Sequence, residues 1–328
     1  MRRLVLHIGA NKTGTSAIQR FCNSRRASLA AAGVLYPAAG CSGEAHYRLS
    51  DAFGFGHGAG SADDRRAQQD VIRAALAAEL AETAAGLVIF SSENFVLYGS
   101  VAEVREFFRD FDVRVIVYVR RHDSWWPSAW NQSVRHAVAP KWGPGLDAYV
   151  AFQRDVNPRY GDWRRLVDRW AGVFGKAAVI VRPYERAQIA PDIVSDFFRQ
   201  IGRPELAAAA APAVNASLDA WSLQMIDIAR HADIAPEARE RIVAYTLRHP
   251  RGGAPYVPSA EQARRFVEPF LADYDYLARE YLGRADGQLF HEPLPPPAGG
   301  QAGSVAPSAE EVMAWTLRAL TADAPASR

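Results

Sequence analysis

Hydrophobic positions along the chain follow two rhythms. Short apolar, β-rich runs occupy Leu4–Ile8, Leu87–Phe90, Asp112–Val119 and Ala177–Arg182. Their length and bounding turn residues fit strands buried on both faces. Between them, apolar residues recur at helical spacing. Ile18, Phe21 and Cys22 form one such stripe. Val71, Ile72, Leu76 and Leu80 form another, over a helix expected at Asp64–Thr83 with Ser61 as its cap. Strands alternating with helices imply a parallel sheet with helices on both faces. From about residue 190 the pattern is mostly helical, with Ser217, Ser259 and Ser308 as candidate caps. Ser259…Gln262 and Ser308…Glu311 have capping-box spacing.

The first strand runs into the most informative stretch, LVLHIGANKTGTSAIQ (Leu4–Gln19). An apolar run ends at Gly9, a loop follows through Gly14, and a helical pattern opens at Ser16. Strand, glycine-bounded loop and helix N-terminus form an anion cradle, because backbone N–H groups and the helix dipole both favour negative charge. The hydroxyls of Thr13, Thr15 and Ser16 are expected to add donors. The loop is not a Walker A motif, which places Lys-Ser/Thr directly after its second glycine. Thr15-Ser16 follow Gly14 here, and Lys12 lies inside the loop. A cation there stands at the bridging atom of a group leaving a 5′-phosphate. The alternative is an ordinary strand–helix turn with an exposed lysine.

A second candidate site follows the third strand. Arg120-Arg121 end it, then come His122-Asp123-Ser124 and a helical run through Arg135, with Asp123 or Ser124 as cap and Pro127 in its first turn. Ser128 lies one turn into that helix. An arginine at a strand's carboxyl end and a hydroxyl on the next helix can reach one phosphate from two sides, and open α/β sheets bind ligands along that edge.

HIGANKTGTSAIQ resembles the 5′-phosphosulfate loop of sulfotransferases that use 3′-phosphoadenosine 5′-phosphosulfate (PAPS). Asn23–Pro37 resembles the stretch after that loop in bacterial carbohydrate-type members. YVRRHDSWWPSAWNQ resembles the family's 3′-phosphate motif, with Arg120 and Ser128 at the matching positions. Weaker likeness continues through Tyr160–Trp163, Trp170–Gly175, Val179–Arg186 and Asp196–Gly202, so recognisable pieces cover about residues 1–285. The resemblance implies an α/β, P-loop-like three-layer fold: a central parallel sheet, helices on both faces and a helical C-terminal part. It implies PAPS as co-substrate, PAP as product, and Asn11, Lys12, Thr13, Gly14, Thr15, Ser16, Arg120 and Ser128 as nucleotide contacts. Arg251 and Gly252, in the basic glycine segment Arg248–Gly253, loosely resemble the loop that closes over the 3′-phosphate. A solvated turn is the competing account of that segment.

Sulfuryl transfer needs a cation on the leaving phosphate, a base for the acceptor's proton, and tight positioning. Lys12 supplies the first, and no metal is expected. Glu93, at the carboxyl end of the second strand, stands where the family's carbohydrate enzymes carry an acidic base. It is also a candidate structural carboxylate. His46 is the other candidate base, since neutral imidazole suits the role at pH 7. His7, within the first strand, reads as structural. Trp125, Trp126, Trp130 and Trp142 are candidate linings of an acceptor groove, and helical rotation predicts that some of them are exposed.

Composition narrows the remaining choices. The chain has 328 residues, 49% hydrophobic and 23% charged, with a formal charge of +2. That balance gives no case for a nucleic-acid partner. Arginine heavily outnumbers lysine. Two cysteines, Cys22 and Cys41, support no disulfide framework, which suits a cytoplasmic location. No apolar stretch approaches the ~20 residues that span a membrane. The domain expected is residues 1–292, followed by a Pro/Gly/Ala linker (293–308) and a short helix with tail (309–328). Ala38–Ala62 is expected to be a long irregular segment facing the site. The alanine run Ala207–Ala211 carries no functional message. The resemblance implies an acceptor hydroxyl on a glycan, glycolipid or small metabolite. A P-loop kinase or NTPase and a non-catalytic nucleotide-binding adaptor are the rival readings.

Overall fold

The computed structural model describes residues 1–56, 60–207, 217–294 and 305–322. Most of the expected linker, the tail beyond 322, residues 57–59 of the Ala38–Ala62 segment and all but the first alanine of the 207–211 run lie outside the described residues. The chain forms two compact units. One comprises Met1–Arg121, Gly161–Ala213 and Phe270–Glu292; the other comprises His122–Tyr160, Val214–Pro269 and Pro293–Arg328. The expected domain of residues 1–292 is thus distributed over both.

The first unit holds a five-stranded sheet: β1 (Arg2–His7), β2 (Val34–Leu35), β3 (Leu87–Ser91), β4 (Phe111–Val119) and β5 (Val179–Pro183). The order is β2-β3-β1-β4-β5 and every pair is parallel. Leu4 stands opposite Val88 on one side and Val113 on the other. β1 is therefore central, which explains its uninterrupted apolar run. Alternate side chains feed two cores. Val5, Ile89, Ile116 and Tyr118 meet Ile18, Phe21, Phe197 and Phe198 from helices on one face. On the other, Phe90 meets Phe108, which follows the helix Val101–Phe107. Trp170, on the helix Trp163–Phe174, packs with Phe55 and Phe95.

The order sets where a ligand goes. From β1 the chain moves to one side of the sheet, through β2 and β3. It then crosses to β4 and continues outward to β5. The carboxyl ends of β1 and β4 thus flank the topological switch point, the crevice where open parallel sheets bind ligands.

Several local expectations change. The Ala38–Ala62 segment contains a helix, Tyr47–Ala52. Ser61 caps the helix Ala62–Ala81 in a reciprocal box with Asp64, but Val71 is 69% exposed. Ile72, Leu76 and Leu80 recur every four residues, and Val71 stands about 100° off that line.

The second unit is helical. Its helix His122–His136 starts earlier than expected, so Asp123 lies within the first turn and Pro127 inside the helix. Trp125, Trp126 and Trp130 are all fully buried, against Tyr160, Tyr149 and Tyr256. They are core residues rather than a groove lining. Trp142, half-buried, packs edge-on against Tyr149. Asp219, not Ser217, caps the helix Ala220–His231, while Ser259 and Ser308 form the expected capping boxes. The C-terminal helix Ala309–Thr321 sets Trp315 against Tyr245 and Trp221, with its indole N–H on Thr246 Oγ1 at 2.8 Å. Among the described residues no helix is long and apolar enough to cross a membrane.

Candidate functional site

The cradle is built at the end of β1. Helix α1 (Thr15–Ser24) begins directly after Gly14, and no side chain caps it. Its first N–H groups therefore keep the anion preference of a bare helix N-terminus. Two left-handed residues shape the loop. Gly14 has φ 81, and Lys12 has φ 64, the one non-glycine residue with positive φ among those described. Such a lysine costs about 1–2 kcal/mol relative to an ordinary backbone. Left-handed residues in short loops turn successive N–H groups to one side, the geometry of anion nests.

The glycines follow from close approach. A Cβ at Gly9 would come within 2.5 Å of His7 Nε2 and 2.8 Å of Thr15 Cγ2. Thr13 is fully buried and its hydroxyl donates to the Ala10 carbonyl at 2.5 Å. That corrects its expected role: the Thr13 hydroxyl proton ties the loop to itself. Thr15 is also buried, Ser16 is exposed, and Asn11 and Lys12 are half-buried.

Arg120 follows β4, on the other side of the switch point. Its Nη1 donates to the Lys12 carbonyl at 3.0 Å, and its guanidinium lies 5.5 Å from the centre of the Tyr184 ring. The Trp163 indole N–H holds the Arg120 carbonyl at 2.9 Å. The structure thus joins Lys12 and Arg120, which lie far apart in sequence.

Glu93 opens the 3₁₀ turn Glu93–Val96 directly after β3. Both carboxylate oxygens accept hydrogen bonds. Gln19, on α1, donates to Oε2 at 2.7 Å, and the Tyr47 hydroxyl donates to Oε1 at 2.5 Å. Burial and the neighbouring Glu93 charge push the Tyr47 phenol well up, so it stays a proton donor. Gln19 and Tyr47 are absent from the residues expected from sequence. Gln19 sits one turn beyond Thr15 on the inward face of α1, a position that periodicity marks only as buried.

Behind this lies a buried polar chain. Gln19 Nε2 also donates to Ser91 Oγ at 3.2 Å, and Ser91 Oγ lies 2.8 Å from His7 Nδ1. Ser91 Oγ thus accepts from Gln19 and shares a second hydrogen bond with His7 Nδ1, while His7 Nε2 is buried without a hydrogen-bond partner among the described residues. Burial lowers the His7 pKa to about 3, so the ring is neutral.

His46 is fully buried. Its Nδ1 accepts from the Ser91 N–H at 3.0 Å, and its Nε2 lies 3.0 Å from the Pro37 carbonyl. Both ring nitrogens are therefore engaged with backbone, and burial lowers the pKa to about 3. The candidacy of His46 as a base is corrected accordingly: the ring staples the Pro37 segment to the end of β3.

The remaining candidates belong to the second unit. Ser128 is half-buried on the helix His122–His136. Arg251 pairs with Glu311 at 2.6 Å and lies over the Trp221 ring, while its backbone N–H donates to Ser222 Oγ. The Gly252 N–H donates to Asp219 Oδ2 at 3.1 Å. The backbone of this segment is thus bound to the start of the helix Ala220–His231.

No family model matches the chain. An uncharacterized protein of Archaeoglobus fulgidus is 28% identical over 210 residues, 60% of this chain and 54% of that protein. The chain thus spans about half the length of this curated relative. A crystal structure of a sulfotransferase from Alicyclobacillus acidocaldarius aligns over 70% of this chain and 94% of its own, with a TM-score of 0.42 and 17% identity.

Proposed function

We propose that the protein transfers a sulfuryl group from PAPS to a hydroxyl of a glycan, glycolipid or small metabolite. The observation that carries this reading is the loop at the switch point. An uncapped helix start, two left-handed residues and an internal lysine meet there. The donor set fits a phosphosulfate, since backbone N–H groups and one ammonium suit a singly bridged anion. PAPS supplies the activated S–O bond. The acceptor oxygen attacks sulfur in line, and the bond to the 5′-phosphate oxygen breaks with its electron pair on that oxygen. Lys12 stabilises the charge that develops there, and Glu93 takes the acceptor's proton.

The sheet supports this division of labour. Glu93 follows β3 and the loop follows β1, neighbouring parallel strands whose carboxyl ends share one edge. Gln19 ties Glu93 to the helix that the loop opens. In this reading Arg120 takes the 3′-phosphate, the chemistry uses no metal, and free Cys22 and Cys41 fit a cytoplasmic protein.

A thermal-shift series with PAP, ATP·Mg²⁺ and ADP tests the ligand class. At a hundredfold excess over Kd the true ligand adds about 2.7 kcal/mol of stability. Stabilisation by ATP·Mg²⁺ alone points to a kinase or NTPase instead. Transfer of label from PAPS into cell extract, with mass identification of the sulfated product, names the acceptor. PAP binding without transfer leaves the adaptor reading.

A further inference from the structure

The Arg120 guanidinium does something in the structure that a reader of the 3′-phosphate need not do. It reaches across the switch point and donates to the Lys12 carbonyl at 3.0 Å. That carbonyl belongs to the loop's one strained non-glycine residue, with φ 64. Tyr184 follows β5, where its N–H extends the ladder to the Val119 carbonyl at 2.7 Å. Its ring lies beside the Arg120 guanidinium. The same ring flanks the second left-handed residue, since a Cβ at Gly14 would stand 3.1 Å from Tyr184 Cε2.

Both turning points of the loop therefore rest on one assembly at the ends of β4 and β5. We propose that Arg120 and Tyr184 are positioning residues for the anion loop: Tyr184 orients the guanidinium, which holds Lys12 left-handed and keeps the cradle formed. The inference rests on reading the loop as the 5′-phosphate site, and it adds a role for Arg120 at the opposite end of the nucleotide from the 3′-phosphate.

The physics favours the assignment. A left-handed lysine persists only where its surroundings over-determine it. A charge-assisted hydrogen bond to its carbonyl is one such restraint. Thr13 supplies a neutral one through Ala10.

The test uses the full chain with Arg120→Ala and Tyr184→Ala. Adenosine 5′-phosphate is the deciding probe, because it lacks the 3′-phosphate that Arg120 is otherwise expected to read. PAP is measured beside it. Hydrogen exchange of the peptide that spans residues 8–16 reports the loop without any ligand. The expected result for each variant is adenosine 5′-phosphate binding weakened about tenfold or more and loop exchange accelerated by a similar factor. Unchanged adenosine 5′-phosphate binding, with loss confined to PAP and loop exchange as in wild type, overturns the proposal. If wild type binds neither nucleotide, the functional reading fails and the exchange comparison alone decides the brace. If Arg120→Ala does not fold, Tyr184→Ala decides it, because that variant keeps the guanidinium for any direct phosphate contact.

Discussion

Replacing Gly14 by alanine puts a defined strain on the loop, and the structure supplies its own control. Gly14 has φ 81, and an added Cβ would lie 3.0 Å and 3.2 Å from the two Cγ atoms of Ile193 and 3.1 Å from Tyr184 Cε2. Gly33 has nearly the same φ, 78, but nothing within 4 Å of its would-be Cβ. A left-handed alanine costs about 1–2 kcal/mol, and the less flexible unfolded chain returns about 0.4–1 kcal/mol. Gly33→Ala should therefore destabilise by roughly 0.5–1 kcal/mol. Gly14→Ala carries the same cost plus crowding. Ile193 is buried and its branched Cγ atoms are stiff, so they cannot simply swing away. Overpacking of that kind adds about 1 kcal/mol or more, for a total near 2 kcal/mol. Urea denaturation of both variants measures the difference. PAP titration measures its consequence, expected as a loss of about tenfold in Gly14→Ala and none in Gly33→Ala. Equal stability and equal PAP affinity in the two variants would refute the claim that Gly14 is fixed by close approach in a nucleotide cradle.

Three further outcomes are expected. Lys12→Ala should keep PAP affinity within about tenfold and lower kcat by ~10²-fold or more, because the bridging oxygen it acts on is absent from PAP; unchanged kcat removes it from the mechanism. Glu93→Gln should lower turnover ~10²–10⁴-fold with PAP binding near wild type, and a mild defect would transfer the base role elsewhere. His7 and His46 are buried neutral, with pKa lowered from 6.5 to about 3. Their stabilisation is complete above about pH 6.5 and is lost as pH falls toward 3, because the unfolded chain takes up their protons first. The combined slope approaches ~2.7 kcal/mol per pH unit across that window. His46→Gln should flatten the stability–pH curve by about one proton, and an unchanged curve would contradict its buried neutral state.

The sheet was legible because parallel strands buried on both faces read as unbroken apolar runs. β1, β3, β4 and β5 each fall within two residues of the run that predicts them. β2 escaped because two residues, Val34 and Leu35, carry no period. The helix Tyr47–Ala52 escaped because its six residues sit among Gly, Ala and Ser, where composition suggests loop. The tryptophans misled for a different reason. Helical rotation tells which residues share a face, but Trp125, Trp126 and Trp130 lie on a helix enclosed on several sides, so different faces are buried together.

The site divides along the same line. Backbone devices leave marks in sequence: glycines at the loop's limits, a lysine between them, an arginine where a strand stops. Side-chain partnerships leave none, because they join residues whose separation is set by the order of strands. Gln19 meets Glu93 only because β3 lies beside β1. Arg120 meets the Lys12 carbonyl only because β4 lies on β1's other side. His46 shows the converse. Its residue type suggested a base, yet the Pro37 carbonyl and the Ser91 N–H take both ring nitrogens. The central place of β1 therefore decides the geometry: it sets the candidate carboxylate and the guanidinium on opposite flanks of one loop, each bonded to the loop or to the helix it opens.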